Sequence, residues 1–382
     1  MPQASAVIMA VLVTKLQRRA PGGQRTRAMR AALIGPRRNG GWMKLLSPVS
    51  LGALELAHRV VMRALEGASK LRADGVPDER MSHYYLRRAS AGALIIAEPA
   101  SISLQGTRSP HAPGIYTAEQ LQGWGAVVEA VHAQGGVLAA QLSHCGRVAH
   151  SSINEEGPVG PSRRRLPGST RNASGDPVRP ERPRALTLRS IDAVLADYRR
   201  AGQSAKEVGF DCVEIHGSDG YLVDQFLHDG TNRRSDHYGG YLENRTRFLS
   251  EIVHTLSTVW GADRVGVRLS PFGTFHGVSD NDPLGLFTHL LRALYDQEVA
   301  YVHLVRHTGG CGSAHPLSVG RPEMARLRSA FPGMLILSGG FTPQSALEAV
   351  QSRCADAIGF GAAFAADPDF TWRLGLRWPP GR

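Results

Sequence analysis

Eight short apolar runs recur along the chain and are separated by longer, more polar segments. The runs are VVMRAL (60–65), ALIIAE (93–98), GVLAAQLSH (136–144), CVEIHG (212–217), RVGVRLSP (264–271), YVHLV (301–305), MLILSGG (334–340) and AIGFGAA (357–363). Runs of this kind are typical of strands that are buried on both faces, as in a parallel sheet covered by helices. The pattern therefore predicts eight buried strands.

The segments between the runs have the period or the composition of helices. They are ERMSHYYLRRASAG, TAEQLQGWGAVVEAVHAQ, SIDAVLADYRRAGQSAKEVG, GYLENRTRFLSEIVHTLSTVWG, DPLGLFTHLLRALYDQE, RPEMARLRSAF and TPQSALEAVQSR. Strands that alternate with helices predict a parallel sheet, and eight such units predict a closed α/β barrel, the (β/α)8 or TIM-barrel fold. A doubly wound open sheet is the alternative. Against it, no GxGxxG follows the first run, and polar residues end many runs rather than marking one switch point.

Two segments depart from this alternation. LLSPVSLGALELAHRV (45–60) has turn residues between apolar ones and predicts a short N-terminal hairpin before the barrel. Residues 151–186 are rich in Pro, Gly and Arg and show neither the helical nor the strand period of apolar residues, so we predict a long loop after strand 3. Because the loop leaves the third strand at the end where barrels hold their ligands, it is either a lid over a pocket or a floppy excursion.

Local signals predict some helix ends. Ser190 is predicted to cap the helix that follows it, and Thr342 followed by Pro343 predicts another helix start. Gly209 is expected to end its helix as a left-handed glycine. After the fourth run, a segment rich in Gly and aromatic residues leads to a helix that begins near Gly240.

The charge of the chain is concentrated at its N-terminus. Residues 1–42 contain eight Lys or Arg and no Asp or Glu, so subtracting eight from the formal net charge of +11 leaves +3 for the rest. The apolar run at 6–13 is too short to span a bilayer, and its basic residues follow it rather than precede it. We interpret residues 1–42 as a basic, disordered extension and residues 43–382 as a single barrel domain. Scattered arginines without interleaved aromatics argue against nucleic acid as a partner, and we expect no membrane partner.

The four cysteines are Cys145, Cys212, Cys311 and Cys354. They are far apart and form no CxxC pair, so they indicate neither a metal site nor a disulfide framework. A reducing cytoplasm is the simplest location for such a chain.

Polar residues and glycines occur at the ends of most of the predicted strands. They are Glu66, Glu98, Gln141, His144, His216, Arg268, Ser338, Gly339 and Gly340. A lone His in a strand is more often structural than catalytic, but the ends of barrel strands meet at one rim, where this architecture holds its ligands. His216, with Asp219 and Tyr221 on the loop after it, is therefore the first candidate for chemistry.

The stretch HGSDGYLVDQFLHDGTNRRSDHYGGYLENRTRF (216–248) resembles the signature of the Old Yellow Enzyme family of FMN-dependent NADH:flavin oxidoreductases and ene-reductases. Further similar segments are DGVPDERMSHYYLRRASAGALIIAE, AQLSHCGR, ALTLRSI, GADRVGVRLSP with the following FGTF, and SGGF. The similarity extends from about Met43 to the C-terminus. It implies a TIM barrel, FMN as cofactor and NAD(P)H as reductant, with hydride passed to the β-carbon of an enone or enal.

The resemblance also implies roles for residues at the rim. His216 matches a hydrogen-bond donor to the substrate carbonyl, and Tyr221 matches the proton donor at the α-carbon. Gln141 matches the residue at the pyrimidine edge of the flavin, and Arg268 matches the cation near that edge. The remaining implied FMN contacts are Ala64, Leu65, Gly339, Gly340 and Gly361. Because Ala362 stands where the family has its phosphate-binding arginine, we expect Arg306 or Arg63 near the phosphate instead.

Four positions depart from the family pattern. Glu66 replaces a Thr or Cys, and Asp219 replaces the second carbonyl donor, although an ionised Asp only accepts hydrogen bonds. Pro99 replaces a small residue and has no N–H, and Ala362 replaces an arginine that clamps the phosphate. Glu66, Pro99 and Ala362 predict weakened FMN binding, and the four changes together also predict weakened flavin reduction and enolate stabilisation.

The function expected from these residues is reduction of an activated C=C bond in a small-molecule substrate by a monomer or homo-oligomer. The alternatives are a flavin-impaired or flavin-free homologue that catalyses a redox-neutral isomerisation or cyclisation, or a non-catalytic binding protein. In the redox-neutral alternative, Glu66, Asp219, His216 and Tyr221 would be the acid and base groups.

Overall fold

The eight predicted strands form one closed parallel barrel. The computed structural model describes residues 44–67, 74–306 and 315–377, and the predicted N-terminal extension lies outside these residues. The barrel strands are β3 (Val60–Met62), β4 (Leu94–Ile96), β6 (Val137–Ser143), β11 (Cys212–Gly217), β12 (Val265–Leu269), β13 (Tyr301–Val305), β14 (Leu335–Ser338) and β15 (Ala357–Phe360). Each pairs in parallel with the next, and β15 pairs with β3 through Ile358 and Val60. This closure confirms the barrel and excludes the open sheet.

The predicted N-terminal hairpin is also present. Strands β1 (Val49–Leu51) and β2 (Leu54–Leu56) pair in antiparallel register. Their buried leucines pack with side chains at the amino-terminal ends of the barrel strands, such as Cys212 and Ala357. The hairpin therefore covers the end of the barrel opposite the predicted site.

Helices cover the outside of the barrel. The described helices are α1 (Glu79–Leu86), α2 (Ala118–Ala133), α3 (Ser151–Asn154), α4 (Leu188–Val208), α5 (Leu222–Leu227), α6 (Leu242–Trp260), α7 (Pro283–Asp296), α8 (Pro322–Ala330), α9 (Pro343–Gln351), α10 (Ala362–Ala366) and α11 (Phe370–Arg377). The large apolar core lies between these helices and the outward faces of the strands.

One predicted helix end is wrong and others are confirmed. Helix α4 begins three residues earlier than the Ser190 cap predicts, because Thr187 is already extended and its hydroxyl accepts from the Ser190 amide at 3.1 Å. Thr342 caps α9 as predicted, and Gly209 ends α4 with a φ of 102°. The Gly-rich segment after β11 contains the short helix α5, which the sequence did not indicate.

The long loop after β6 is folded, so it is not a floppy excursion in this structure. It contains α3 and four two-residue strands: β7 (Val159–Gly160), β8 (Thr170–Arg171), β9 (Pro177–Val178) and β10 (Arg184–Ala185). Strands β7 and β10 pair in parallel, and β8 and β9 form a hairpin. The Thr170 hydroxyl donates to the Val148 carbonyl at 2.7 Å, which ties this hairpin to the segment that follows β6. The remaining two-residue strand, β5 (Ala100–Ser101), pairs with β6.

Candidate active site

A cavity of about 680 Å³ lies at the carboxyl ends of the barrel strands, and we call it the main cavity. Its volume is in the range of pockets that bind small molecules and cofactors. Nine of the eleven residues predicted for the site line it: Ala64, Leu65, Glu66, Asp219, Tyr221, Arg268, Gly339, Gly340 and Gly361. The other two, Gln141 and His216, are 0% and 1% exposed and are not part of the lining.

Tyr221 and Glu66 form a hydrogen-bonded pair in the wall of the main cavity. The Tyr221 hydroxyl donates to Glu66 Oε1 at 2.8 Å, and the second carboxylate oxygen of Glu66 accepts from Arg108 at 2.7 Å. The Tyr221 ring stacks on His216 with the centroids 4.9 Å apart and on His276 with the centroids 5.7 Å apart. Burial, and then the charge of Glu66, raise the pKa of the Tyr221 hydroxyl well above its ordinary value. Tyr221 is therefore a neutral, fixed hydroxyl at neutral pH.

Asp219 offers no hydrogen-bond donor to the cavity that it lines, because its carboxylate is paired with Arg268. The two groups are 2.7 Å apart, and the same Arg268 nitrogen lies 2.9 Å from His216 Nε2. Burial, and then the charge of Arg268, lower the pKa of His216, so its imidazole is neutral at neutral pH. A neutral His216 that accepts from Arg268 through Nε2 carries its proton on Nδ1. Asp219 has a φ of 61°, and its carbonyl accepts from His276 Nδ1 at 2.6 Å, which fixes the loop after β11.

A buried polar network crosses the interior of the barrel below the main cavity. Gln141 Nε2 donates to Glu214 at 2.5 Å, and the other Glu214 oxygen lies 3.0 Å from His303 Nδ1. His303 Nε2 lies 2.8 Å from the Ser338 hydroxyl. The network links β6, β11, β13 and β14 and fixes the amide of Gln141, so that its Nε2 is occupied and its Oε1 is left without a partner among the described residues.

Two arginines line the main cavity near its glycines. Arg63 lies against Gly361, where an added Cβ would be 2.7 Å from the arginine Nε. Arg306 donates to the Gly339 carbonyl at 2.9 Å and stacks on the Phe341 ring at 3.8 Å. Within the described part of the chain, neither arginine has a carboxylate at ion-pair distance. Burial, and then the charge of Arg268, lower the pKa of Arg63, as expected for a cation that lacks a counter-ion.

The sequence missed Arg108, Glu214, His303 and His276. Glu214 and His303 are ionisable residues inside the apolar runs CVEIHG and YVHLV, and that signal could have identified them. Arg108 lies on a loop and His276 in the short 3-10 helix Phe275–Gly277, and no local pattern relates them to Glu66 or Tyr221.

Comparison with known proteins identifies the family. Residues 44–377 match the model of the NADH:flavin oxidoreductase / NADH oxidase family. Similar proteins include 12-oxophytodienoate reductase 7 of Oryza sativa subsp. japonica, 38% identical over 350 residues that cover 87% of this chain and 88% of the relative. The chain belongs to the Old Yellow Enzyme family.

Solved structures of Old Yellow Enzyme relatives have the same fold. The old yellow enzyme homologue from Zymomonas mobilis superposes with a TM-score of 0.82 at 35% identity, and the match covers 89% of this chain and 94% of that one. Morphinone reductase in complex with tetrahydroNAD superposes with a TM-score of 0.80 at 38% identity, over 88% of this chain and 92% of that one.

The residues of this Old Yellow Enzyme homologue fit an FMN at two places. At one, Gln141 Oε1, His216 Nδ1 and Arg268 Nε are buried polar atoms without a partner among the described residues, which suits the polar edge of a flavin. At the other, the glycine-lined wall beside Arg63 and Arg306 suits a phosphate. No group of three or more His, Cys, Asp or Glu in the described residues is arranged to hold a metal ion. No described helix is long and apolar enough to cross a membrane.

Proposed function

We propose that this chain is an FMN-dependent NAD(P)H oxidoreductase that reduces the activated C=C bond of an enone or enal. The observation that carries the proposal is the position of Tyr221, a neutral hydroxyl whose ring stacks on two imidazoles in the wall of a cavity with the features of an FMN site. When bound, FMN supplies hydride chemistry, which it draws from NAD(P)H. Gln141, Arg268, Ala64, Leu65, Gly339, Gly340 and Gly361 would hold it, with Arg63 and Arg306 on its phosphate.

The residues of the chain itself would supply the polar half of the reaction. Hydride addition to the β-carbon places negative charge on the substrate carbonyl oxygen and leaves the α-carbon to be protonated. Asp219 is occupied by Arg268 and only accepts, so the family role of carbonyl donor would fall to His216, whose Nδ1 is its protonated nitrogen because Nε2 accepts from Arg268. Tyr221 would give its hydroxyl proton to the α-carbon.

The visible absorption spectrum of the purified protein tests this proposal. We expect a yellow protein that NADPH or NADH bleaches under anaerobic conditions and that an enone then reoxidises. A colourless protein that takes up no FMN and oxidises neither nucleotide would refute the proposal.

A second candidate function is redox-neutral acid/base catalysis in the same cavity. The Glu66 carboxylate accepts from the Tyr221 hydroxyl at 2.8 Å, and such a pair can remove a proton at one carbon and return it at another. For this function, Glu66→Gln or Asp219→Asn would lower turnover of the substrate without any dependence on FMN. Full activity in both variants would exclude it. A non-catalytic binding protein would bind enones, seen as a raised melting temperature, but would not convert them.

A further inference from the structure

A second, smaller cavity shares Tyr221 with the main cavity, and we call it the side chamber. It has a volume of about 100 Å³, and its polar lining includes Glu66, Glu98, Ser101, Ser143 and Tyr221. One water needs roughly 10–15 Å³ of such space and two to four polar partners, so the side chamber has room and partners for several waters.

Three side chains with polar heads line both cavities: Glu66, Arg108 and Tyr221. They therefore form the partition between the main cavity and the side chamber. Tyr221 is 3% exposed, whereas the side chain of Glu66 is 37% exposed. In this partition the buried hydroxyl is in contact with a carboxylate that water reaches.

We propose that Glu66 relays protons from water in the side chamber to Tyr221. This inference rests on the proposed ene reduction, in which Tyr221 loses one proton per turnover and must regain it. The 2.8 Å hydrogen bond between the two side chains is the connection through which the proton would pass.

The proton step starts from the Glu66 carboxylate, which accepts from Tyr221 and pairs with Arg108. The Tyr221 O–H bond breaks as the C–H bond at the α-carbon forms, which leaves a tyrosinate against a carboxylate, and like charges at this distance repel strongly. This repulsion favours uptake of a proton by Glu66 from the water of the side chamber. The new Glu66 O–H bond then breaks as the Tyr221 O–H bond is restored, and Glu66 is again a carboxylate paired with Arg108.

Arg108 is placed to stabilise the charge that this step leaves behind. It contacts the Glu66 oxygen that does not face Tyr221, at 2.7 Å. The ionised state of Glu66 is thus paired through one oxygen, and the other oxygen stays next to the tyrosine, where it can take up a proton and pass it on. Arg108 acts through Glu66 and is a positioning residue.

The inference predicts that the protonation of Glu66 is sensed at Tyr221. The other ionisable groups that act on Tyr221 are Arg108, Cys145, His216 and His276. The first two do not titrate near neutral pH, because an arginine stays protonated and burial raises the pKa of Cys145 to about 12. Burial lowers the pKa of His216, and His276→Gln and His111→Gln variants remove the other imidazole that stacks on Tyr221 and the imidazole that lines the side chamber.

The experiment uses 19F NMR of the protein with its nine tyrosines replaced by 3-fluorotyrosine, with Tyr221→Phe to assign the resonance of Tyr221. We expect the Tyr221 shift to titrate in the native protein, in His276→Gln and in His111→Gln. In Glu66→Gln the titration should be absent, since the amide can still accept the hydrogen bond but cannot ionise. Glu251→Gln is the matched control, because Glu251 accepts from the Tyr238 hydroxyl at 2.7 Å in a similar pair away from the cavity. It should change the Tyr238 resonance only.

The kinetic measurement is the pH profile of enone reduction. Glu66→Gln should lower kcat by at least about tenfold and remove the limb of the profile that reports Glu66, and formate should restore part of the rate to Glu66→Gly. An unchanged Tyr221 titration in Glu66→Gln overturns the relay, and so does a native kcat with a native pH profile. A native protein that does not reduce enones refutes the proposed function instead. The two failures are distinguishable because the 19F titration needs neither cofactor nor substrate.

Discussion

Replacement of Arg63 by alanine is expected to weaken FMN binding by about 10- to 100-fold. Arg63 faces the glycine-lined wall of the main cavity and has no carboxylate partner among the described residues, so its charge is available to a phosphate. A hydrogen bond to a charged group contributes about 1.5–3 kcal/mol, and each 1.4 kcal/mol is a factor of about ten in Kd. The change can be measured by quenching of flavin fluorescence when FMN is titrated into the flavin-free protein.

Two controls separate a phosphate contact from general damage to the barrel. Riboflavin lacks the phosphate, so Arg63→Ala should leave its Kd nearly unchanged. Arg59→Ala removes an arginine from the opposite end of the same strand, where it bonds the Asp356 carbonyl at 2.8 Å, and should not affect FMN.

A second substitution tests whether Arg63 provides the phosphate contact that the family arginine at position 362 would provide. Ala362 follows Gly361, which Arg63 contacts, and the family resemblance places an arginine at this position. Ala362→Arg in the Arg63→Ala background should therefore recover most of the lost FMN affinity. An unchanged Kd for FMN in folded Arg63→Ala would refute the reasoning, and so would an equal loss of riboflavin affinity.

Two further predictions concern stability. Gly266→Ala should lower the free energy of unfolding by about 1–3 kcal/mol in urea titrations, because the added Cβ would lie 2.1 Å from the Tyr301 ring. The control is Gly125→Ala, which lies in a helix with open space around it and should be neutral or stabilising. Burial lowers the pKa of His58 and of His144 to about 4, so below the ordinary value of about 6.5 the unfolded chain binds protons that the folded chain does not. The free energy of unfolding should then fall as the pH drops from about 6.5 towards 4, by up to about 3 kcal/mol for each histidine. His58→Gln should reduce the slope of the unfolding free energy against pH by the equivalent of about one proton. A free energy of unfolding that does not change with pH over this range would contradict the lowered pKa values of the two histidines.

The barrel was predictable because its strands are short, apolar on both faces and separated by helical segments. CVEIHG and MLILSGG, for example, correspond to β11 and β14 to within a few residues. The N-terminal cap of α4 was not predictable, because Thr187 and Ser190 are both good capping residues and the path of the preceding loop decides between them. Helix α5 was missed because its six residues are buried on all sides and too few to show a period.

The location of the cavity was predictable from the sequence, but the contacts between its side chains were not. Strand order puts Glu66, Asp219 and Tyr221 at one rim, and that followed from the alternation of strands and helices. The partners of these residues come from other loops: Arg108 is 42 residues from Glu66, and Arg268 is 49 residues from Asp219. Only the folded chain shows that each carboxylate is paired with an arginine.

Because each carboxylate is paired with an arginine, the net positive charge of the main cavity is concentrated on one side. Its lining includes four arginines and two carboxylates in the described part of the chain. Glu66 pairs with Arg108 and Asp219 with Arg268, so both carboxylates are balanced on the side of Tyr221. Arg63 and Arg306 remain beside the glycines, and a phosphate carries between one and two negative charges at neutral pH. The two carboxylates therefore need not oppose an anionic cofactor, because their charge is neutralised locally while the excess positive charge lies where a phosphate would bind.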